Sequence, residues 1–155
     1  MDNELLLRQL PHSLEAEQAT LGSMLIDAGC IKNVIDRLVP EDFYLQQNRE
    51  IFETIYTMFA YSRPIDPVTV VEEMQKNGVY DEKTTKSYIL QLMEITPTSA
   101  NVMEYADIVR GKAQLRAIAA AAGDISSLVQ EGGDSAAILE AAEQKIYAVR
   151  RGRGA

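Results

Sequence analysis

The chain carries one cysteine, Cys30, and one histidine, His12, in 155 residues. A disulfide within the chain is therefore impossible, and so is a zinc site built from the Cys and His of one chain. Such sparing cysteine use fits a reducing cytoplasm. Tryptophan is absent and aromatic residues make up 6 %, which argues against the stacked aromatic clamps that hold sugars or bases. No stretch of about 18 apolar residues occurs, so no membrane span is expected. The N-terminus lacks a basic region followed by an apolar run, so no signal peptide is expected. Bases are outnumbered by acids, 15 to 23, for a net charge of -8. A free-standing nucleic-acid-binding domain normally presents a basic face. This acidic balance suits protein partners instead. Only Arg150-Arg151-Gly152-Arg153 is locally basic, and residues 151–155 read as the start of a linker or a disordered tail.

Phosphate-binding chemistry is missing as well. No Gly-x-x-x-x-Gly-Lys-Ser/Thr loop is present, and Lys112 follows Gly111 without a glycine-rich turn ahead of it. The acidic pairs Glu15/Glu17, Glu41/Asp42 and Glu72/Glu73 read as solvated helix faces rather than acid–base pairs. His12, in a Pro-His-Ser turn, reads as a local hydrogen-bonding residue. Cys30 reads as a filler, because no histidine is placed to activate it. No catalytic, cofactor-binding or metal-binding residue is assigned, and the chain reads as non-enzymatic.

What the sequence does contain is helical periodicity. Hydrophobic residues make up 46 % and charged residues 25 %, an ordinary globular mix with enough chain for one core. Residues 1–12 read as a flexible arm in which Leu5, Leu6 and Leu7 are free to meet a neighbour. Ser13 is placed to cap a helix, with Glu15 and Glu17 at its positive end. Leu14, Gln18, Leu21 and Leu25 follow at helical spacing. Gly22 costs about 1 kcal/mol inside a helix, which points to a backbone passing close by. Short helical segments are expected around Ile31–Leu38 and from Pro40 through Phe43 and Tyr44. The clearest core helix spans residues 46–61, with Ile51, Phe52, Ile55 and Phe59 inward. Asp66-Pro67 opens another that stops at Asn77-Gly78. A further one carries Tyr88, Ile89, Leu92 and Met93.

Beyond Ser99 the texture changes. Ile108, Leu115, Ala122 and Val129 recur by sevens, interleaved with Gly111, Ile118 and Ile125, an a/d heptad seam on one long helix. Gly132-Gly133-Asp134 is a turn, and a second helix follows with Ile138, Ala142, Ile146 and Val149 on one side. The expected fold is all-α: a compact helical head, residues 13–98, followed by a protruding antiparallel helical hairpin, residues 99–150. The second arm is about half as long as the first. Part of the seam should stay uncovered and serve self-association.

Several segments are similar in register to one family. Pro11-His12-Ser13-Leu14-Glu15-Ala16-Glu17-Gln18-Ala19 and Leu21-Gly22-Ser23 resemble the opening of DnaB-type replicative DNA helicases. Pro40-Glu41-Asp42-Phe43-Tyr44 and Pro64-Ile65-Asp66-Pro67-Val68-Thr69 resemble later motifs, with Pro67 a local variant. Thr96-Pro97-Thr98-Ser99-Ala100-Asn101, Tyr105-Ala106-x-Ile108-Val109-Arg110 and Glu143-Gln144-Lys145-Ile146-Tyr147 resemble the entry to the hairpin and its second arm. The resemblance implies the N-terminal domain of such a helicase: a collar without ATPase activity, built as a trimer of dimers on a hexameric ring. It implies docking of the primase C-terminal domain and of a helicase loader or initiator. It places ATP, magnesium and single-stranded DNA binding in a motor domain beyond Ala155. It also puts Tyr88, Ile118 and Ile125 at positions associated with primase docking. Together with Ile108, Gly111 and Leu115 from the seam, these form the expected interface set. The stretch Ala117–Ala122 is smaller and flatter than is usual in the family. The competing readings are the helicase-binding C-terminal domain of a bacterial primase, a small helical enzyme, and a direct DNA binder.

Overall fold

The structure is a computed structural model that describes residues 10–152. Residues 1–9, which hold Leu5–Leu7 of the expected arm, and Arg153 of the tail lie outside the described residues. Seven α-helices occur among the described residues: α1 Leu14–Ile26, α2 Ile31–Arg37, α3 Gln46–Ala60, α4 Pro67–Lys76, α5 Thr85–Glu94, α6 Val102–Glu131 and α7 Ser135–Arg151. Single 3-10 turns at Ala28–Cys30 and Pro40–Asp42 join the early helices. No strand occurs among the described residues, so the all-α expectation holds.

The helices start where short polar side chains satisfy the open backbone N–H groups of a first turn. Ser13 Oγ accepts from Ala16 N at 3.1 Å. Asp66 accepts from Thr69 N while Thr69 Oγ1 accepts from Asp66 N, both at 2.9 Å, and Pro67 fills the first helical position. Asp134 accepts from Ala137 N at 3.2 Å at the start of α7. The preceding turn needs Gly132 and Gly133, whose φ values are 83° and 129°, a region open to glycine without a Cβ clash.

Two compact units divide the chain at Gly111/Lys112, within α6. The first, residues 12–111, holds the hydrophobic core. Leu21, Met24, Ile31, Leu38, Phe43, Ile51, Phe52, Ile55, Met58, Met74, Ile89 and Leu92 are fully buried there. Phe43 packs against Phe52 with ring centroids 4.7 Å apart. Val102, Ala106 and Val109, on the first turns of α6, complete this core. Two expectations change. Phe59 and Leu14 were placed inward but are 37 % and 38 % exposed. Each sits at the margin of an apolar arc already filled by its helix neighbours.

The backbone approach expected at Gly22 is present. A Cβ added there would lie 2.5 Å from the carbonyl oxygen of Leu92 and 2.1 Å from Thr96 Oγ1. Helix α1 thus lies against α5 as closely as a missing side chain permits. Thr96 is buried and its hydroxyl donates to Leu92 O at 2.8 Å.

The second unit holds residues 112–152 with Leu10 and Pro11. Here Lys145 Nζ of α7 stands 3.8 Å from Asp124 of α6. The residues of reduced exposure are Lys112, Ala113, Arg116, Ala121, Ile125 and Leu128 on α6, and Ile138, Ala141, Ala142, Lys145 and Val149 on α7. Ile146 was expected inward but is 45 % exposed, with Lys145 taking the inner position through its aliphatic stem. The charges of this unit balance: Lys112, Arg116, Lys145, Arg150 and Arg151 against Asp124, Glu131, Asp134, Glu140 and Glu143. The acidic excess therefore belongs to residues 12–111.

Candidate functional site

Two of the segments that carry the family resemblance, 11–19 and 40–44, meet inside the head, where the buried carboxylate of Glu17 joins them. Glu17 is 1 % exposed. It accepts hydrogen bonds from Tyr44 N at 2.7 Å, Leu45 N at 3.4 Å and Asn48 Nδ2 at 2.9 Å. Its backbone donors, Tyr44 N and Leu45 N, lie just ahead of α3, so the buried negative charge sits near the positive end of that helix. Asn48 Oδ1 accepts from the Tyr88 hydroxyl, and Gln18 Nε2 donates to that hydroxyl at 3.3 Å. Arg49 closes the other side, donating to Phe43 O and Tyr44 O at 3.1 and 3.3 Å. The His12 ring stacks on Tyr44 at 4.1 Å. Asp42 is buried and accepts from Val39 N at 2.9 Å. Ser99 Oγ donates to Asp27 Oδ2 at 2.7 Å.

Three carboxylates expected on solvated faces are therefore structural. Glu17 and Asp42 are buried, and Glu73 receives Arg63 Nη1 at 2.6 Å with its side chain 12 % exposed. One signal for Glu17 was available in the sequence: it shares a helical face with Leu21 and Met24, at i+4 and i+7. Its partners at residues 44–48 are remote along the chain and invisible to periodicity. Asn48 was missed altogether, because a polar residue early in a helix ordinarily faces water.

Burial raises the pKa of Tyr88 above its ordinary value, against the opposing hydrogen bonds from Gln18 and Asn48. Burial, with the nearby Asp27 carboxylate, pushes the Cys30 thiol up to about 11. Cys30 is buried, and its Sγ lies 3.5 Å from Ser23 O. No group of three or more His, Cys, Asp or Glu side chains able to hold a metal occurs among the described residues. No helix among them is long and apolar enough to cross a membrane.

The expected interface residues are divided between the two units. Tyr88 is half-buried in the head and engaged by Gln18 and Asn48. Ile108 is 44 % exposed and lines an open groove of about 340 Å³ with Ile95, Tyr105, Ala16 and Ala19, beside the polar Ser13, Glu15 and Gln18. Gly111 has nothing within 4 Å of the position a Cβ would take. In the second unit Leu115 and Ile118 are 47 % and 44 % exposed, and Val129 is 61 % exposed. Ile125 alone of this set has reduced exposure beside α7. Towards the end of α6 the exposure falls at Ala121, Ile125 and Leu128, a face rotated away from most of the heptad seam. The seam is thus left largely uncovered.

A family model described as the DnaB-like helicase N terminal domain matches residues 9–111. The replicative DNA helicase DnaB of Haemophilus influenzae is 35 % identical over 145 residues, which is 92 % of this chain and 31 % of that protein. The Pasteurella multocida DnaB is 33 % identical over the same shares, and the Mycobacterium leprae DnaB is 34 % identical over 148 residues, 24 % of its length. The chain therefore spans about a third or less of these relatives. A crystal structure of the N-terminal domain of DnaB helicase from Mycobacterium tuberculosis superposes with a TM-score of 0.85 at 33 % identity, covering 91 % of this chain and 99 % of that one. A structure of the N-terminal domain of DnaB helicase from Helicobacter pylori, determined with its interactions with primase, shares the fold. Its TM-score is 0.63 at 21 % identity over 74 % of this chain and 89 % of that one. The chain belongs to the DnaB-like helicase N-terminal domain family.

Proposed function

We propose that this chain is the non-catalytic collar portion of a cytoplasmic replicative DNA helicase. It assembles with copies of itself, as dimers and as a trimer of dimers on a hexameric ring. It also docks the primase C-terminal domain and a loader or initiator. ATP and magnesium binding, hydrolysis and single-stranded DNA binding belong to the motor of the complete helicase. The observation that carries this reading is the uncovered apolar seam of the hairpin, with Leu115, Ile118 and Val129 between 44 % and 61 % exposed. Apolar side chains repeated along a helix and left in water mark a partner's contact. The balanced charge of the hairpin favours protein contact over phosphate contact there.

The test is mass analysis in solution, by light scattering or sedimentation, with and without the cognate primase C-terminal domain. Concentration-dependent dimers or larger assemblies are expected, together with a shift on adding primase. A strict monomer at high concentration would remove the self-association claim. Tight, salt-sensitive binding of the chain to DNA at physiological salt would favour a direct nucleic-acid role instead.

A further inference from the structure

The open groove beside Ile108 lies wholly within the head. Ala16 and Ala19, two small side chains of α1, form its floor. Its apolar walls are Ile95, just past the end of α5, with Tyr105 and Ile108 of α6. Ile95 and Ile108 are 50 % and 44 % exposed, whereas Ile31, Ile51, Ile55 and Ile89 of the same unit are buried. The groove holds about 340 Å³, near the lower end of the roughly 300–1,000 Å³ of ligand clefts. That is room for one or two large apolar side chains rather than for an extended cofactor.

The charge around this groove has one sign. Glu15 is the charged side chain in its lining. Glu94 and Glu104 adjoin Ile95 and Tyr105 in sequence and are exposed, and Glu104 stands one helical turn before Ile108. Among the described residues, none of the ion pairs engages Glu15, Glu94 or Glu104. No base lines the groove: the nearest on the same face of α6 is Lys112, one turn beyond Ile108, and it stays outside the lining. Residues 12–111 carry 16 acidic and 8 basic side chains, so the surrounding field reinforces the local one. A phosphate-bearing ligand is repelled here. A cationic one is drawn in, and the exposed isoleucines reward it only if it also brings an apolar side chain.

We propose that this groove docks a basic, apolar-anchored helical segment of a partner protein. A leucine-sized side chain of the partner enters over Ala19 between Ile95 and Ile108, and a lysine or arginine one turn away on the partner meets Glu15. This is the helix-in-groove mode of recognition. The inference does not rest on self-assembly, because every residue it uses belongs to the head of one chain.

The experiment is fluorescence anisotropy of labelled synthetic peptides with the full chain. The probe is an alanine-based helix of about 14 residues, with two leucines one turn apart and lysines at the flanking positions. One control peptide has every lysine replaced by glutamine, and another has both leucines replaced by alanine. The lysine–leucine probe is expected to bind with a dissociation constant on the order of 100 µM, about tenfold tighter than either control. Glu15→Gln is expected to weaken it about threefold and to flatten its salt dependence. Ile108→Ser is expected to weaken it about tenfold. Val68→Ser, at a 72 % exposed site on α4, leaves it unchanged. Circular dichroism checks folding, and Ile95→Ser stands in if Ile108→Ser disturbs α6.

Absence of saturable binding below about 1 mM would overturn the inference. So would equal binding of the leucine-free peptide, which would reduce the effect to general attraction by an acidic protein. Equal binding of the glutamine peptide would refute the basic partner. Loss at Val68→Ser as large as at Ile108→Ser would move the contact elsewhere. Light scattering of each variant alone separates the remaining case: a change in mass at Ile108→Ser with unchanged probe affinity would assign the groove to contact between copies and refute this reading.

Discussion

Replacing Gly22 with alanine reverses the usual sign of a glycine-to-alanine change in a helix. In a helix with open surroundings, alanine stabilises by about 1 kcal/mol, because glycine loses more backbone freedom on folding. At Gly22 the added Cβ would stand 2.5 Å from Leu92 O and 2.1 Å from Thr96 Oγ1. The hydroxyl can rotate away, but it then forfeits its 2.8 Å bond to Leu92 O, worth about 1 kcal/mol. The carbonyl cannot rotate, since it belongs to the backbone of α5, so the helices must separate. Overpacking of this kind costs about 1–3 kcal/mol. After the helix-propensity gain is subtracted, Gly22→Ala is expected to destabilise the head by about 2 kcal/mol. With an m-value of about 2 kcal/mol/M, the urea midpoint followed by circular dichroism falls by about 1 M. Gly111→Ala is the internal control: nothing lies within 4 Å of its Cβ position, and a gain of about 1 kcal/mol is expected in dilute protein. Adding Thr96→Ala to Gly22→Ala should recover less than half of the loss, because the Leu92 carbonyl remains. A Gly22→Ala protein as stable as the parent would refute the close approach of α1 and α5.

Glu17→Gln replaces one acceptor oxygen with a donor among three donors, and a loss of about 3 kcal/mol in urea unfolding is expected; a change under about 0.5 kcal/mol would show that the carboxylate does not hold Tyr44, Leu45 and Asn48 in place. Native Cys30 should react with iodoacetamide at pH 8 on the order of a hundredfold slower than in urea, since a pKa near 11 leaves far less thiolate than the ordinary value does. The same shift carries a sign in stability. The unfolded thiol ionises first, so stability is unaffected by this group below about pH 9 and falls as pH rises through about 11; a Cys30→Ala protein with an unchanged alkaline unfolding profile would contradict it. Ile118→Asp should leave the thermal unfolding of the isolated chain within about 0.5 kcal/mol, as expected of an exposed site, yet weaken assembly or primase binding. Ile125→Asp should loosen α7 even in the monomer, and equal behaviour of the two variants in every assay would remove the division between inner and outer faces.

The sequence by itself determined the all-α class, the caps at Ser13 and Asp66, the glycine turn at 132–133, and the family. These are local or periodic properties. A hydroxyl three residues ahead of an open N–H, a proline at a first helical position, and apolar residues at threes and fours are all written within a few positions. The close approach at Gly22 was legible too, because an unfavourable residue kept inside a helix needs a neighbour to justify it.

Only the tertiary structure decided how the carboxylates are used and which face of α6 is spent. Glu17 and Asn48 are 31 positions apart, and nothing along the chain says that a carboxylate of α1 meets the start of α3. Burial turned an apparently solvated acid into the acceptor for the Tyr44 and Leu45 N–H groups just ahead of α3, which would otherwise lie unsatisfied. The heptad pattern showed that α6 has an apolar seam, but a period of seven is equally compatible with packing inside the hairpin or outside it. The structure separates the two: Ala121, Ile125 and Leu128 lose exposure, while Leu115, Ile118 and Val129 stay turned to solvent.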